Sequence, residues 1–222
     1  MLTIQNLIRN FSSERLSTYL NLTSNSETAA FELYEFNIKL SESFYPSLHN
    51  LEISLRNNFH QSLSKTYGEN WFLNNTLLVG SKNKNPANIA KVAEVISKLK
   101  PVNLTKINSN DVISNLSFGF WVSLLFNKYE LDIWRPCLRN IFPINQKITR
   151  NNIQHKLELI KLIRNRIAHH ECILKHDLPT LHQTIYEILE YLSPELSNWS
   201  SNFDRFPKIF AQYQTFKTKF QA

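Results

Sequence analysis

One short stretch of the chain concentrates residues that can carry out acid–base and phosphate chemistry. It covers residues 164–171 and reads Arg-Asn-Arg-Ile-Ala-His-His-Glu. Histidine exchanges protons near neutral pH, and the planar arginine guanidinium binds phosphate oxygens through paired hydrogen bonds. Together, these two side chains can cleave a phosphodiester without a metal ion. The stretch is therefore the first candidate for a functional site.

This stretch ends an apolar helical run, and helical geometry decides which of its side chains share a face. Asn165 and His169 are four residues apart, as are Arg166 and His170, so each pair lies on one face. Arg164 precedes the first pair by one residue and is long enough to reach the same space. A structural explanation stays open, because cationic side chains at a helix C-terminus complement its dipole and cap its carbonyls.

Spacing alone does not select this stretch. With nine arginines and seven histidines in the chain, an arginine followed by a histidine four to six residues later arises about once by chance. A second copy, Arg150 to His155, begins the same predicted helix. A carboxylate would suit that N-terminal position better, so we interpret the second copy as an exposed polar helix start.

A second polar cluster lies on an otherwise apolar helix. Its members are Glu52, Arg56, Asn57 and His60, and the steps from Glu52 to Arg56 and from Arg56 to His60 are both four residues. One explanation is an ion pair within the helix on a solvated face. The other is that these residues line the same cleft as Arg164 and His169.

The elements that position these residues are predicted to be helices. Three glycines are few for 222 residues, and sheet proteins need many tight turns. Apolar residues recur at helical spacing, and no alternating run is long enough for a strand. We predict an all-α single domain over residues 1–222, with an exposed loop around residues 80–88. The helices are predicted over residues 12–20, 27–44, 46–67, 86–99, 110–126, 149–170, 178–192 and 206–220.

Charge and composition indicate which classes of partner the protein is expected to have. The net charge of +7 is modest evidence for a polyanionic partner such as nucleic acid. No apolar run reaches the ~18–20 residues that cross a bilayer, and residues 1–12 lack the pattern of a signal peptide. We therefore expect a cytoplasmic protein without a membrane partner. Cys137 and Cys172 are predicted to be buried or incidental thiols.

No cofactor or metal is predicted. His169 and His170 are adjacent, so their side chains diverge on a helix and chelate poorly. The zinc spacing His-Glu-x-x-His and the glycine-rich phosphate loop of ATPases are both absent.

Six segments of the chain carry a resemblance to one known family, in that family's order: residues 33–37, 51–57, 67–71, 116–124, 131–136 and 164–171. Together they resemble the Abi family of bacterial abortive-infection proteins, over roughly residues 12–180. The resemblance implies a branch of the HEPN superfamily of helical bundles, with additional helices. One departure is Phe36, where relatives often carry tryptophan, and we expect a core substitution there.

The resemblance implies a metal-independent endoribonuclease toxin of a phage-defence or toxin–antitoxin system. Its signature, Arg-x(4–6)-His, selects Arg164 over Arg150. By that likeness His169 is the general base or acid, Arg164 holds the phosphate, and Asn165 orients either of them. His170, Arg166, Glu52, Arg56 and Asn57 are the expected supporting or RNA-binding residues.

The resemblance also bears on partners. Family members usually form the site across a two-fold homodimer, which supplies a second histidine, and an antitoxin would be a protein or a small RNA. The alternative is a non-catalytic HEPN-like module that binds RNA or a protein. A purely structural helical scaffold is a third possibility.

Overall fold

The computed structural model describes residues 4–80, 86–100, 107–143 and 148–220, with the side chains of these ranges from residue 8 to residue 219. These residues form helices and no strands, which confirms the all-α prediction. The single domain over residues 1–222 stays a prediction. The α-helices in the described residues are α1 (Ile4–Phe11), α2 (Ser13–Leu22), α3 (Glu27–Tyr67), α4 (Asn75–Val79), α5 (Ala87–Leu99), α6 (Ser109–Asn115), α7 (Phe118–Ser123), α8 (Arg150–Ala168), α9 (Leu178–Leu192), α10 (Pro194–Ser201) and α11 (Phe206–Phe220).

α3 is the longest helix and the centre of the packing, in contact with α2, α7, α9, α10 and α11. The predicted break at Pro46 is wrong, because α3 runs through it. Proline inside a helix costs about 3 kcal/mol. Phe44, Leu48 and Leu51 are nonetheless buried on either side of it, at roughly 1.5–3 kcal/mol each. Burial against the surrounding helices therefore outweighs the lost hydrogen bond.

Two other stretches differ from the predicted helices. The run over 110–126 is divided into α6 and α7, because the Ser117 side chain accepts from the Phe120 N–H and starts a new helix. Short 3-10 and π-helical turns then cover much of residues 127–141. α1, α4 and α10 were not predicted; α10 begins at Pro194 with Ser193 as its cap.

α8, which carries the candidate stretch, agrees with its prediction. Thr149 and Asn152 form a reciprocal capping box at its start. One face buries Ile153, Leu157 and Ile160 completely. α8 is therefore held rigidly along its length, with its last turn left at the surface.

The predicted exposed loop around residues 80–88 lies mostly outside the described residues, which omit 81–85. Both of its ends are buried. Gly80 packs tightly beneath Lys128 and Tyr129. The Asn88 amide donates to Ser123 Oγ (2.9 Å) and to the Tyr129 hydroxyl (2.8 Å).

Phe36 packs against Tyr213 and Phe216 of α11, half-buried between helices. Cys137 is buried and Cys172 half-buried, and both are free thiols. Among the described residues, no helix combines the length and apolarity that crossing a bilayer requires.

Candidate active site

The last turn of α8 is closed by the backbone and not by its histidine side chains. The Glu171 N–H donates to the Arg166 carbonyl (2.8 Å), and the His170 N–H to the Ile167 carbonyl (3.0 Å). This is a Schellman motif, in which His170 takes the left-handed position usually held by glycine (φ 57°). The His169 and His170 side chains are both exposed. Helix capping therefore does not account for their imidazoles.

Asn37 of α3 fixes the segment that follows this turn. Its buried side chain donates to the Glu171 carbonyl (3.3 Å) and accepts from the Ile173 N–H (2.9 Å). Arg15 of α2 also donates to the His170 carbonyl (2.6 Å). The end of α8 is thus anchored from two helices, which holds the backbone of residues 169–173 in one place.

Arg164 lies in a groove between α8 and α3. The cavity measures about 390 Å³, and its lining joins the last turns of α8 to the middle of α3. Arg164 Nε is 3.3 Å from Glu52 Oε2, and the two side chains are 39% and 30% exposed. The lining residues are Tyr45, Leu48, His49, Glu52, Ile53, Arg56, Arg164, Ile167 and Ala168.

Glu52 and Arg56 line the same groove as Arg164, as one of the two explanations for this polar cluster requires. The Glu52 carboxylate pairs with Arg164, 112 residues away in the chain, while the Arg56 Nε bonds the neighbouring Asn57 Oδ1 (3.3 Å). Arg56 shares the groove with Glu52, whereas Asn57 is exposed and does not line it. The groove therefore joins one carboxylate with two guanidinium groups.

His60, the fourth member of that cluster, faces another part of the molecule. Its Nδ1 accepts from the indole N–H of the buried Trp71 (3.1 Å), and Glu69 lies 3.7 Å from Nε2. Burial lowers the pKa of His60, and Glu69 partly opposes that shift. We assign it a structural role.

Asn165 and His169 lie beside the groove but do not line it. Both are exposed on the solvent face of α8, and the hydrogen bond and ion pair of the Arg164 side chain in the described part of the chain are with Glu52, not His169. One chain therefore presents the guanidinium in a groove and the imidazole on the adjacent helix face. A nucleotide bound across the edge between them could contact both.

Arg166 and His170 face a different concavity, next to α2. It measures about 450 Å³ and includes Arg15 and Lys175 in its lining. Arg166 Nη1 pairs with Glu171 (3.1 Å), and its buried Nε has no partner in the described part of the chain. Three cationic side chains (Arg15, Arg166 and Lys175) and two carboxylates (Glu14 and Glu171) therefore line this concavity next to the end of α8.

The second Arg-Asn-x-x-x-His copy is used structurally. Arg150 is 11% exposed, pairs with Glu130 at 2.6 Å, and donates to the Leu125 carbonyl and to Gln154 Oε1 (3.0 Å). The predicted exposed helix start is therefore wrong for Arg150, although His155 is exposed as expected. Interior bonds occupy this guanidinium, whereas Arg164 is partly open to solvent.

Sequence reasoning missed Tyr45 and His49. Their rings stack at 6.0 Å between centroids with an interplanar angle of 23°, and both line the groove beside Arg164. A signal existed in the sequence, because positions 45, 49, 52 and 56 recur at helical spacing as one polar and aromatic stripe. The supposed helix break at Pro46 obscured it.

A family model described as Abi-like protein matches residues 3–175. The chain belongs to the Abi-like protein family. The matched range contains the groove and the end of α8, and it stops before α9. Membership of the Abi-like family suggests a role in abortive infection, a form of phage defence. Neither a curated protein nor a solved structure matches the chain.

Proposed function

We propose that this Abi-like protein is a cytoplasmic, metal-independent endoribonuclease of the HEPN type, acting as the toxin of a phage-defence or toxin–antitoxin system. The observation that carries the proposal is the half-open Arg164 guanidinium in a groove, with an exposed imidazole at His169 on the adjoining turn of the same helix. Family membership and the net charge of +7 support an RNA partner.

In the proposed reaction, the RNA 2′-oxygen forms a bond to the adjacent phosphorus, and the bond from phosphorus to the 5′-oxygen breaks. His169 accepts the proton of the 2′-hydroxyl. A second imidazole gives a proton to the departing 5′-oxygen. Arg164 stabilises the charge that develops on the phosphoryl oxygens, and Asn165 orients His169 or the phosphate. The products carry 2′,3′-cyclic phosphate and 5′-hydroxyl ends.

The need for two imidazoles leads us to propose a homodimer. His155, Leu162 and His169 recur every seven residues and so share one face of α8. Leu162 and Leu159 are exposed apolar residues of this helix, which would be buried if two copies met there. A two-fold contact along this face would bring two His169 side chains and two grooves together.

The cleavage assay uses RNA in excess EDTA, with wild type, Arg164→Ala, His169→Ala and the matched control His176→Ala. His176 is a histidine outside both α8 and the groove. We expect wild type and His176→Ala to cut with 2′,3′-cyclic phosphate ends, and the other two variants to lose activity by about 100-fold or more. Loss of cutting in EDTA, or full activity in both site variants, would refute the mechanism.

A non-catalytic RNA-binding module is the second candidate. The specific observation in its favour is the ion pair between Arg164 and Glu52, which occupies the guanidinium in the single chain. This alternative predicts RNA retention that weakens steeply with salt, and no cleavage products. Growth arrest on overexpression that His169→Ala relieves would favour the toxin over this module. An antitoxin, either protein or small RNA, would then be sought by co-purification.

A further inference from the structure

Tyr45 is the most exposed of the large apolar and aromatic side chains that the structure describes, at 66%. It is not loosely placed, because its ring stacks against the imidazole of His49 one turn later in α3. His49 thereby supports one face of the Tyr45 ring, and much of the tyrosine surface remains exposed. An aromatic ring held in this way can receive another flat ring at little entropic cost.

The surroundings of this pair are those of a nucleotide-binding groove. Leu48, Ile53 and Ile167 provide apolar lining, while Arg56 and Arg164 provide positive charge. Proteins that bind single-stranded nucleic acid combine the same two features, since cations follow the phosphates and aromatic rings stack on bases. The groove therefore offers complementary contacts to both parts of a nucleotide.

The spacing along α3 shows how far the Tyr45–His49 pair lies from Arg164, which holds the phosphate in the proposed reaction. Tyr45 and Glu52 are seven residues apart, which places them on nearly the same face and about 10 Å apart along the axis. Glu52 in turn contacts Arg164. A nucleotide next to a phosphate held at Arg164 would therefore have its base near Tyr45.

We propose that Tyr45, supported by His49, is a stacking platform for one unpaired base of the RNA. The proposal rests on the proposed function, because it assigns the substrate class of the same groove: single-stranded RNA or an unpaired loop. Bases of a duplex are stacked on each other and are not available to the ring. The platform is indifferent to base identity, since every base has an aromatic face.

Binding is measured by fluorescence anisotropy with end-labelled 12-nucleotide oligo(A), in the His169→Ala background so that the RNA stays intact. We expect Tyr45→Leu to weaken binding by roughly tenfold or more and Tyr45→Phe to retain it. Trp199→Leu is the matched control, because Trp199 is exposed but does not line the groove; its binding should equal that of the background. Tyr45 is mostly exposed, so these variants should fold.

An abasic 12-mer separates stacking from charge. The abasic oligomer should bind the His169→Ala background and its Tyr45→Leu variant equally, because it has no base to stack. Equal affinity of Tyr45→Leu and the background for oligo(A), an equal loss with the abasic oligomer, or no binding of either by the background would overturn the platform. The cleavage assay is separate, so an inactive protein that binds in this pattern would refute the nuclease and leave the platform standing.

Discussion

The two Arg-Asn-x-x-x-His copies of α8 should respond in opposite ways to alanine substitution. Arg150 lies with Glu130 in a largely buried pair, 11% and 19% exposed, and also bonds a backbone carbonyl. Arg164 makes one ion pair, 39% and 30% exposed. We expect Arg150→Ala to lose stability and keep its chemistry, and Arg164→Ala to keep stability and lose its chemistry.

The magnitudes follow from burial. Removing one partner of a buried ion pair costs about 3–5 kcal/mol. Glu130 keeps a second cation, Arg135, at 3.1 Å, so we expect about 2–3 kcal/mol for Arg150→Ala. Solvent screens the half-exposed pair of Arg164, and such pairs contribute about 0.2–1 kcal/mol. The predicted difference is a large part of a total stability of roughly 5–15 kcal/mol.

Urea unfolding followed by tryptophan fluorescence measures both effects. With a denaturant slope of about 2–3 kcal/mol/M, the midpoint should fall by about 1 M for Arg150→Ala and by less than about 0.5 M for Arg164→Ala. Cleavage is then assayed at a temperature where both variants are folded. Arg150→Ala should cut RNA at a rate within about threefold of wild type, and Arg164→Ala should not cut measurably.

A reversed pattern would refute the reasoning. If folded Arg150→Ala were inactive while Arg164→Ala cut RNA normally, the structural assignment of the two copies would be wrong. A midpoint for Arg164→Ala as low as that of Arg150→Ala would show that the groove guanidinium supports the fold, against its exposure.

Three further substitutions test the frame around the site. Asn37→Leu should lower the unfolding free energy by about 2–3 kcal/mol in urea, because two backbone groups lose their partner; an unchanged midpoint would contradict this. His170→Gly should raise the unfolding free energy by about 0.5–1 kcal/mol, since glycine relieves the left-handed backbone; a lower urea midpoint would count against it. Because the folded pKa of His60 is lowered, protonation favours unfolding. Stability should therefore fall as pH drops below about 6.5, and His60→Gln should flatten that slope. An unchanged slope would place the proton elsewhere.

Local sequence information was enough for most helices and for the end of α8. The period of apolar residues and the capping residues predicted α2, α5, α8, α9 and α11, because both act within a few turns of one chain segment. It failed at Pro46, where burial against distant helices outweighs a local penalty. It also failed within residues 110–126, where one serine starts a new helix inside an apolar run.

Some candidate site residues could also be selected from local sequence, whereas others became apparent only in the tertiary structure. The sequence by itself selected Arg164 and His169 as candidates, because their spacing lies within one helix and resembles a family signature; their roles stay a prediction. Only the tertiary structure decided that Glu52 pairs with Arg164, that Arg150 pairs with Glu130 in a largely buried ion pair, and that Tyr45 borders the groove. These contacts join residues that are far apart in the chain, and they depend on how α3 and α8 pack, which no local pattern encodes.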